Sequence, residues 1–168
     1  MAAEPLFREE QRLSLARLRI LTALPPAVML LLAIWQVGLG HKWGKQPMSN
    51  AGIIGWTIFL WLIYVRLITV KLVTKVFPGE LRVAMRGLWR SARVGLDKVQ
   101  SVRVVTVDPA HDWGGYGVRT SRRGRAYLAI GNEGVELEMS GGGVVVVGSR
   151  RAAELARVIG AEIARRGS

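Results

Sequence analysis

NAGIIGWTIFLWLIYVRLITVKLV, residues 50–73, decides how this chain is read. From residue 46 to residue 65 there is no charged side chain. At about 1.5 Å of rise per residue that run makes a helix about 30 Å long, the hydrocarbon thickness of a bilayer. Its apolar residues run all round instead of along one stripe. A helix of that kind needs lipid or a large protein core around it, and 168 residues are too few to bury two of them. The stretch is therefore expected to be a transmembrane helix that hands the chain to a domain on one side.

A second uncharged run precedes it: residues 20–40, ILTALPPAVMLLLAIWQVGLG. A signal peptide is one reading of a basic flank and an apolar run. Against it, the run is long for an h-region, Glu9 and Glu10 come before it, and no small-residue cleavage site follows. It is read as a retained helix. Pro25 and Pro26 either kink it or confine regular helix to the part beyond them. Trp35 lies towards its far end, at a depth that suits an indole among headgroups. Residues 1–19 form a polar flank, read as a charged segment in preference to a short interfacial helix built on Leu13, Leu15 and Leu18.

The two runs make a hairpin across a short polar loop, 38–50, that carries His41, Lys42, Trp43 and Lys45. Arg8, Arg12, Arg17 and Arg19 precede the first run, and Arg66, Lys71 and Lys75 end or follow the second. This excess of positive charge belongs on the cytoplasmic side. The expectation is a multi-pass protein of the cell membrane with helices at about 20–40 and 50–73 and both termini cytoplasmic. A hydrophobic fraction of 50% beside a net charge of +12 fits spans joined to a basic aqueous part. Cysteine is absent, so there are no disulfides and no thiolate metal ligands.

Beyond the spans the period changes. Leu81, Val83 and Met85 alternate with Arg82, Ala84 and Arg86, and Val135, Leu137 and Met139 alternate with Glu136 and Glu138. Residues 99–107 are rich in β-branched side chains. The four valines 144–147 read as a strand buried on both faces, or nearly so. Glycine-bearing turns fall between these runs, at 78–79, 86–87, 131–134 and 141–143, which predicts an antiparallel meander. Ser149 then caps a helix whose apolar stripe is Ala152, Leu155, Ala156, Ile159 and Ile163. Residues 74–168 are long enough for one domain with its own core.

About seven antiparallel strands and a closing helix, attached to a two-span hairpin, resemble the small bacterial integral membrane proteins with a pleckstrin-homology-like domain. Trp113-Gly-Gly-Tyr-Gly-Val-Arg119, Ala126-Tyr127, Gly131, Gly134-Val-Glu-Leu137 and Val147-Gly-Ser149 carry the likeness. It implies an α+β membrane protein whose antiparallel β-barrel or sandwich is closed by the C-terminal helix. It implies no activity, because a fold does not carry one. The turn at residues 77–81 holds an acid and no basic pocket, which separates this chain from the lipid-binding eukaryotic domains.

Candidate sites follow from the unusual loop at 108–119, DPAHDWGGYGVR. Asp108, His111 and Asp112 are chemically sufficient for a weak metal site, but three residues so close in a loop seldom converge on one ion; turn capping is the better reading. Trp113 and Tyr116, set among Gly114, Gly115 and Gly117, either plug an open end of the barrel or contact headgroups or a partner protein. Arg119, Arg122, Arg123 and Arg125 form a basic cluster at an expected hairpin tip, facing either solvent or an anionic leaflet. Arg82, Arg86, Arg90 and Arg93 make a second basic group. The glycine runs lack the lysine and Ser/Thr of a phosphate loop, and no nucleophile has a base partner. The expectation is a non-enzymatic scaffold without cofactors. Its partners would be the bilayer, anionic lipid headgroups and a membrane protein or a second copy. An accessory subunit of a membrane complex is the main alternative; a metal-dependent enzyme and a nucleic-acid binder are weaker ones.

Overall fold

The computed structural model describes residues 4–12, 16–42, 44, 46–87, 91–129 and 131–167. Leu13, Leu15, Trp43, Lys45 and Arg90 lie outside the described residues. The chain divides into two compact units: residues 14–69, and residues 1–13 together with 70–168.

The first unit is a helical hairpin. Helix α1 spans Ala16–Ala33 and continues through Pro25 and Pro26 into a π-helical turn, Ile34–Gly38. Helix α2 spans Asn50–Ile68. Ser49 caps it by accepting from the Gly52 N–H at 3.1 Å. Two polar side chains tie the helices antiparallel: Gln36 donates to the Met48 carbonyl at 2.5 Å, and the Thr57 hydroxyl reaches the Met29 carbonyl at 3.2 Å. Both helices are long and apolar enough to cross a membrane by length and composition. Only 11% of each apolar window is buried, so this chain encloses neither as a core helix. Helix α2 is shorter than the expected 50–73. Thr69 ends it, and the β-branched, period-two segment that follows is already strand.

The second unit holds nine strands among the described residues, in two sheets. The first sheet has the order β1-β2-β3-β4, with β1 Phe7–Arg12, β2 Lys71–Phe77, β3 Glu80–Arg86 and β4 Ala92–Gly95. All its pairings are antiparallel. The second has the order β5-β8-β9-β7-β6, with β5 Val99–Thr106, β6 Gly117–Ser121, β7 Gly124–Leu128, β8 Glu133–Met139 and β9 Val144–Gly148. A short helix α3, Pro109–Trp113, precedes β6, and helix α4, Ala152–Gly167, closes the chain.

Three expectations need correction. The two sheets do not close into a barrel; each keeps free edges among the described residues. The strands are not a simple meander, because β9 inserts between β7 and β8 and pairs with β7 in parallel. Its four valines explain why. Val147 joins the main core and Val146 a second cluster on the other face, so this strand needs cover on both sides and takes the interior of the sheet. Finally, the polar flank is not separate from the domain. Phe7–Arg12 is a strand paired with β2, from Phe7 opposite Val76 to Arg12 opposite Lys71. The chain leaves this sheet at Arg12 and rejoins it at Lys71, with the whole hairpin inserted between.

The main core is built from Leu72, Leu81, Val83, Leu96, Val135 and Leu137, with Leu155 and Ile159 from the expected stripe of α4. Strand β1 is locked onto the start of α4. The buried Glu9 carboxylate accepts from the Arg150 N–H at 3.0 Å and from the Ser149 hydroxyl at 2.5 Å. Gln11 donates to the Gly148 carbonyl at 3.0 Å. A carboxylate there also complements the positive end of the helix dipole.

Candidate functional site

The 108–119 loop is built by capping. The Asp108 carboxylate accepts from the Ala110 and His111 N–H groups at 3.0 and 3.2 Å, and Asp112 accepts in return from the Asp108 N–H at 3.0 Å. That backbone bond, followed by the His111 side chain, holds the Asp112 carboxyl below its ordinary value. Both carboxylates are thus engaged in starting α3, the role the turn-capping reading gave them. Among the described residues no group of three or more His, Cys, Asp or Glu could hold a metal ion.

Gly114 ends α3 at φ +68°, and Gly115 and Gly117 follow with φ of +124° and +105°. These left-handed positions turn the chain sharply into β6. The turn lays Trp113 on the outward face of the second sheet, where it is 8% exposed and packs with Val107, Ala126, Leu128 and Val146. Trp113 is packed there, and the described strands form no closed barrel whose end it could plug. Tyr116 stays exposed.

The arginines that stand together in sequence do not share one surface. Arg122 and Arg123 occupy the tip between β6 and β7, as expected of a hairpin. Arg119 lies opposite Ala126 in the ladder, while Arg125, one residue away from Ala126, projects to the other face. Glu136 answers part of the charge. It accepts from Arg103 Nε at 2.9 Å and lies 3.8 Å from Arg123.

A more uniform basic surface lies on the outward face of the first sheet. Register places Arg8, Lys75, Arg82 and Arg93 side by side across all four strands. A second row, Arg12, Lys71 and Arg86, crosses three of them. The inward residues of the same strands, such as Leu72, Leu81 and Val94, fill the core. Two carboxylates interrupt the basic face. Glu10 pairs with Arg8 at 2.7 Å, and Glu80 lies 2.8 Å from Arg82 and 3.6 Å from Arg93. Their hydrogen bonds, to Arg8 and Arg82 respectively, hold both carboxyls below the ordinary value. Lys75, Arg12, Lys71 and Arg86 make no ion pair among the described residues. Two hollows, of about 860 and 150 Å³, open on this face and share Lys75, Phe77 and Arg82. The Arg82 guanidinium lies 4.6 Å from the Phe77 ring centre.

Sequence reading reached Arg82, Arg86 and Arg93 but not the rows. The signal was present in β1, where FREEQR alternates cation or acid with an inward residue, but two inward positions are Glu9 and Gln11 and disguise the strand. No family model matches this chain, and no curated protein does.

Proposed function

We propose that this chain is a two-span integral membrane protein, with both termini cytoplasmic, that presents a non-enzymatic binding or scaffolding domain at the membrane. One observation carries the reading. A hairpin whose apolar side chains are largely exposed, Ile20, Leu31, Ile58 and Leu62 among them, is inserted between two strands paired along their length. Water is a poor solvent for that surface, and lipid a good one. Because Arg12 and Lys71 are register partners, the segment departs and returns at one point of the sheet. Two spans satisfy that constraint and one does not. Anchoring raises the domain's effective concentration for any membrane partner, so a modest surface suffices. Two sheets with a closing C-terminal helix support the pleckstrin-like comparison; strand β1 and the parallel β7–β9 pair depart from it.

The test uses the absence of cysteine. Single cysteines are placed at Lys42 and at Arg166 and probed in intact cells with a membrane-impermeant maleimide. Labelling at 42 without permeabilisation, and at 166 only after it, is expected. Labelling at both without permeabilisation, or recovery of the chain in the soluble fraction, would reject the reading.

A second reading, an accessory subunit of a membrane complex, is favoured by an apolar hollow of about 430 Å³ on the hairpin, lined by Gly52, Gly55, Trp56 and Phe59. A side chain at Gly55 would meet open space, so another helix can approach closely there. Gly55→Leu should release a co-purifying partner in mild detergent, and leave a lone scaffold unchanged.

A further inference from the structure

We propose that the outward face of the four-stranded sheet docks on an anionic bilayer leaflet. Three observations lead there. The first is the cost of the arrangement. Like charges directly opposite one another on neighbouring strands are destabilising, yet Arg8, Lys75, Arg82 and Arg93 follow one another across the sheet. Glu10 answers Arg8 and Glu80 answers Arg82 and Arg93, which leaves Lys75, between Arg8 and Arg82, without an ion pair among the described residues. A surface that keeps this repulsion is suited to a negatively charged partner that removes it.

The second observation is shape. The row spans four strands, about 14 Å at the usual strand spacing, on a sheet face whose hollows are bordered by Lys75, Arg82 and Phe77. Glu4 and Glu80 also line the larger hollow, so the face favours a spread of negative charge over one deeply held anion. The third is position in the chain, and it selects lipid over other polyanions. Lys71, in the second basic row, is three residues beyond Ile68, the last residue of α2. Three residues reach about 10 Å at most, close to the screening length at physiological salt. If α2 spans the bilayer, covalent reach alone holds that row where the potential of an anionic leaflet acts.

The inference rests on the membrane-anchored reading, and the experiment separates the two. Full-length chain carrying an environment-sensitive probe at Ser91→Cys, a residue lining the smaller hollow, is reconstituted in phosphatidylcholine vesicles with or without phosphatidylglycerol. A headgroup-borne nitroxide quenches the probe when the face is docked. A second preparation carries the probe at Ser121→Cys, beside the β6–β7 tip. Quenching at 91 should rise with phosphatidylglycerol, fall in high salt and disappear in Lys75→Glu/Arg86→Glu, while position 121 stays unchanged. At about a fivefold effect per surface cation, the double reversal should lower the docked-to-free ratio at least about 25-fold. Lys75→Gln/Arg86→Gln, which carries no new charge, should give an intermediate loss.

Equal quenching in both lipids, stronger quenching at 121, or undiminished quenching in the double reversal would overturn the docking. So would a DNA duplex that shifts the probe at 91 when phosphatidylglycerol does not. Flotation in high salt decides the anchor independently. A chain that fails to float is not inserted. The docking is then read from pelleting of the soluble chain with phosphatidylglycerol vesicles, and absence of pelleting overturns it as well.

Discussion

The outward faces of the two sheets start from similar material and end differently. Each displays arginines on antiparallel strands. On the five-stranded sheet, Trp113 covers the centre and Glu136 answers Arg103 and Arg123. On the four-stranded sheet, nothing equivalent to Trp113 is found among the described residues, and four of the seven cations lack an ion pair there. Charge count along the chain therefore says little about where a basic surface lies. Register decides it, by bringing β1 beside β2 and so joining cations from opposite ends of the hairpin.

The largest expected effect tests the closed face. Trp113→Ala should destabilise the domain by about 3–5 kcal/mol, the usual cost of emptying a buried aromatic site, as read from chemical unfolding. Tyr116→Ala should stay within about 0.5 kcal/mol, as for an exposed side chain. Equal, small effects would return Trp113 to the list of contact residues. Next comes the attachment of β1. Glu9→Ala leaves the Ser149 hydroxyl and the Arg150 N–H without their acceptor, and should cost about 1–3 kcal/mol. An unchanged midpoint would mean that β1 is dispensable and the basic rows are not held together by it.

A charge reversal should then act with opposite sign on the two faces. Lys75→Glu sits between Arg8 and Arg82 in the ladder and should stabilise by about 0.2–1 kcal/mol. Arg103→Glu, opposite Glu136, should destabilise. The same sign at both positions would break the contrast.

The smallest effect is in pH. Glu10, Glu80 and Asp112 all have carboxyls held below their ordinary values. A depressed carboxyl contributes stability that is fully present above its unfolded value, about 4. That contribution is lost as pH falls through the lower folded value. Glu80→Gln should therefore flatten the stability profile below about pH 4, and Asp112→Asn should do the same from helix α3. A profile unaltered by either substitution would show that these pairs are too well solvated to matter.

Much of this was legible in the sequence because burial wrote it in apolar residues. Four consecutive valines announced a strand covered on both faces. The spacing of Leu155, Ile159 and their neighbours announced α4. Two uncharged runs announced helices that no small core could hold. What stayed hidden was written in polar residues or in non-local pairing. Glu9 and Gln11 point inward because the junction between β9 and α4 offers them partners about 140 residues away, and no local pattern records that. The insertion of β9 between β7 and β8 is equally silent, since chain order favours neighbours. For Trp113 the sequence left burial and surface contact both open, because its loop is otherwise polar. Its burial depends on the glycines that fold the loop back onto the sheet.

The pairing of Arg12 with Lys71 has a consequence for biogenesis on the proposed membrane reading. The first strand is synthesised before the hairpin and waits for its neighbour until both spans have been threaded. Should one span fail to insert, the two strands would end on opposite sides of the bilayer. The helix start would lose Glu9, and a bare sheet edge would be left for proteases or chaperones to find. On that reading, completion of the domain would report how its own anchor was laid into the membrane.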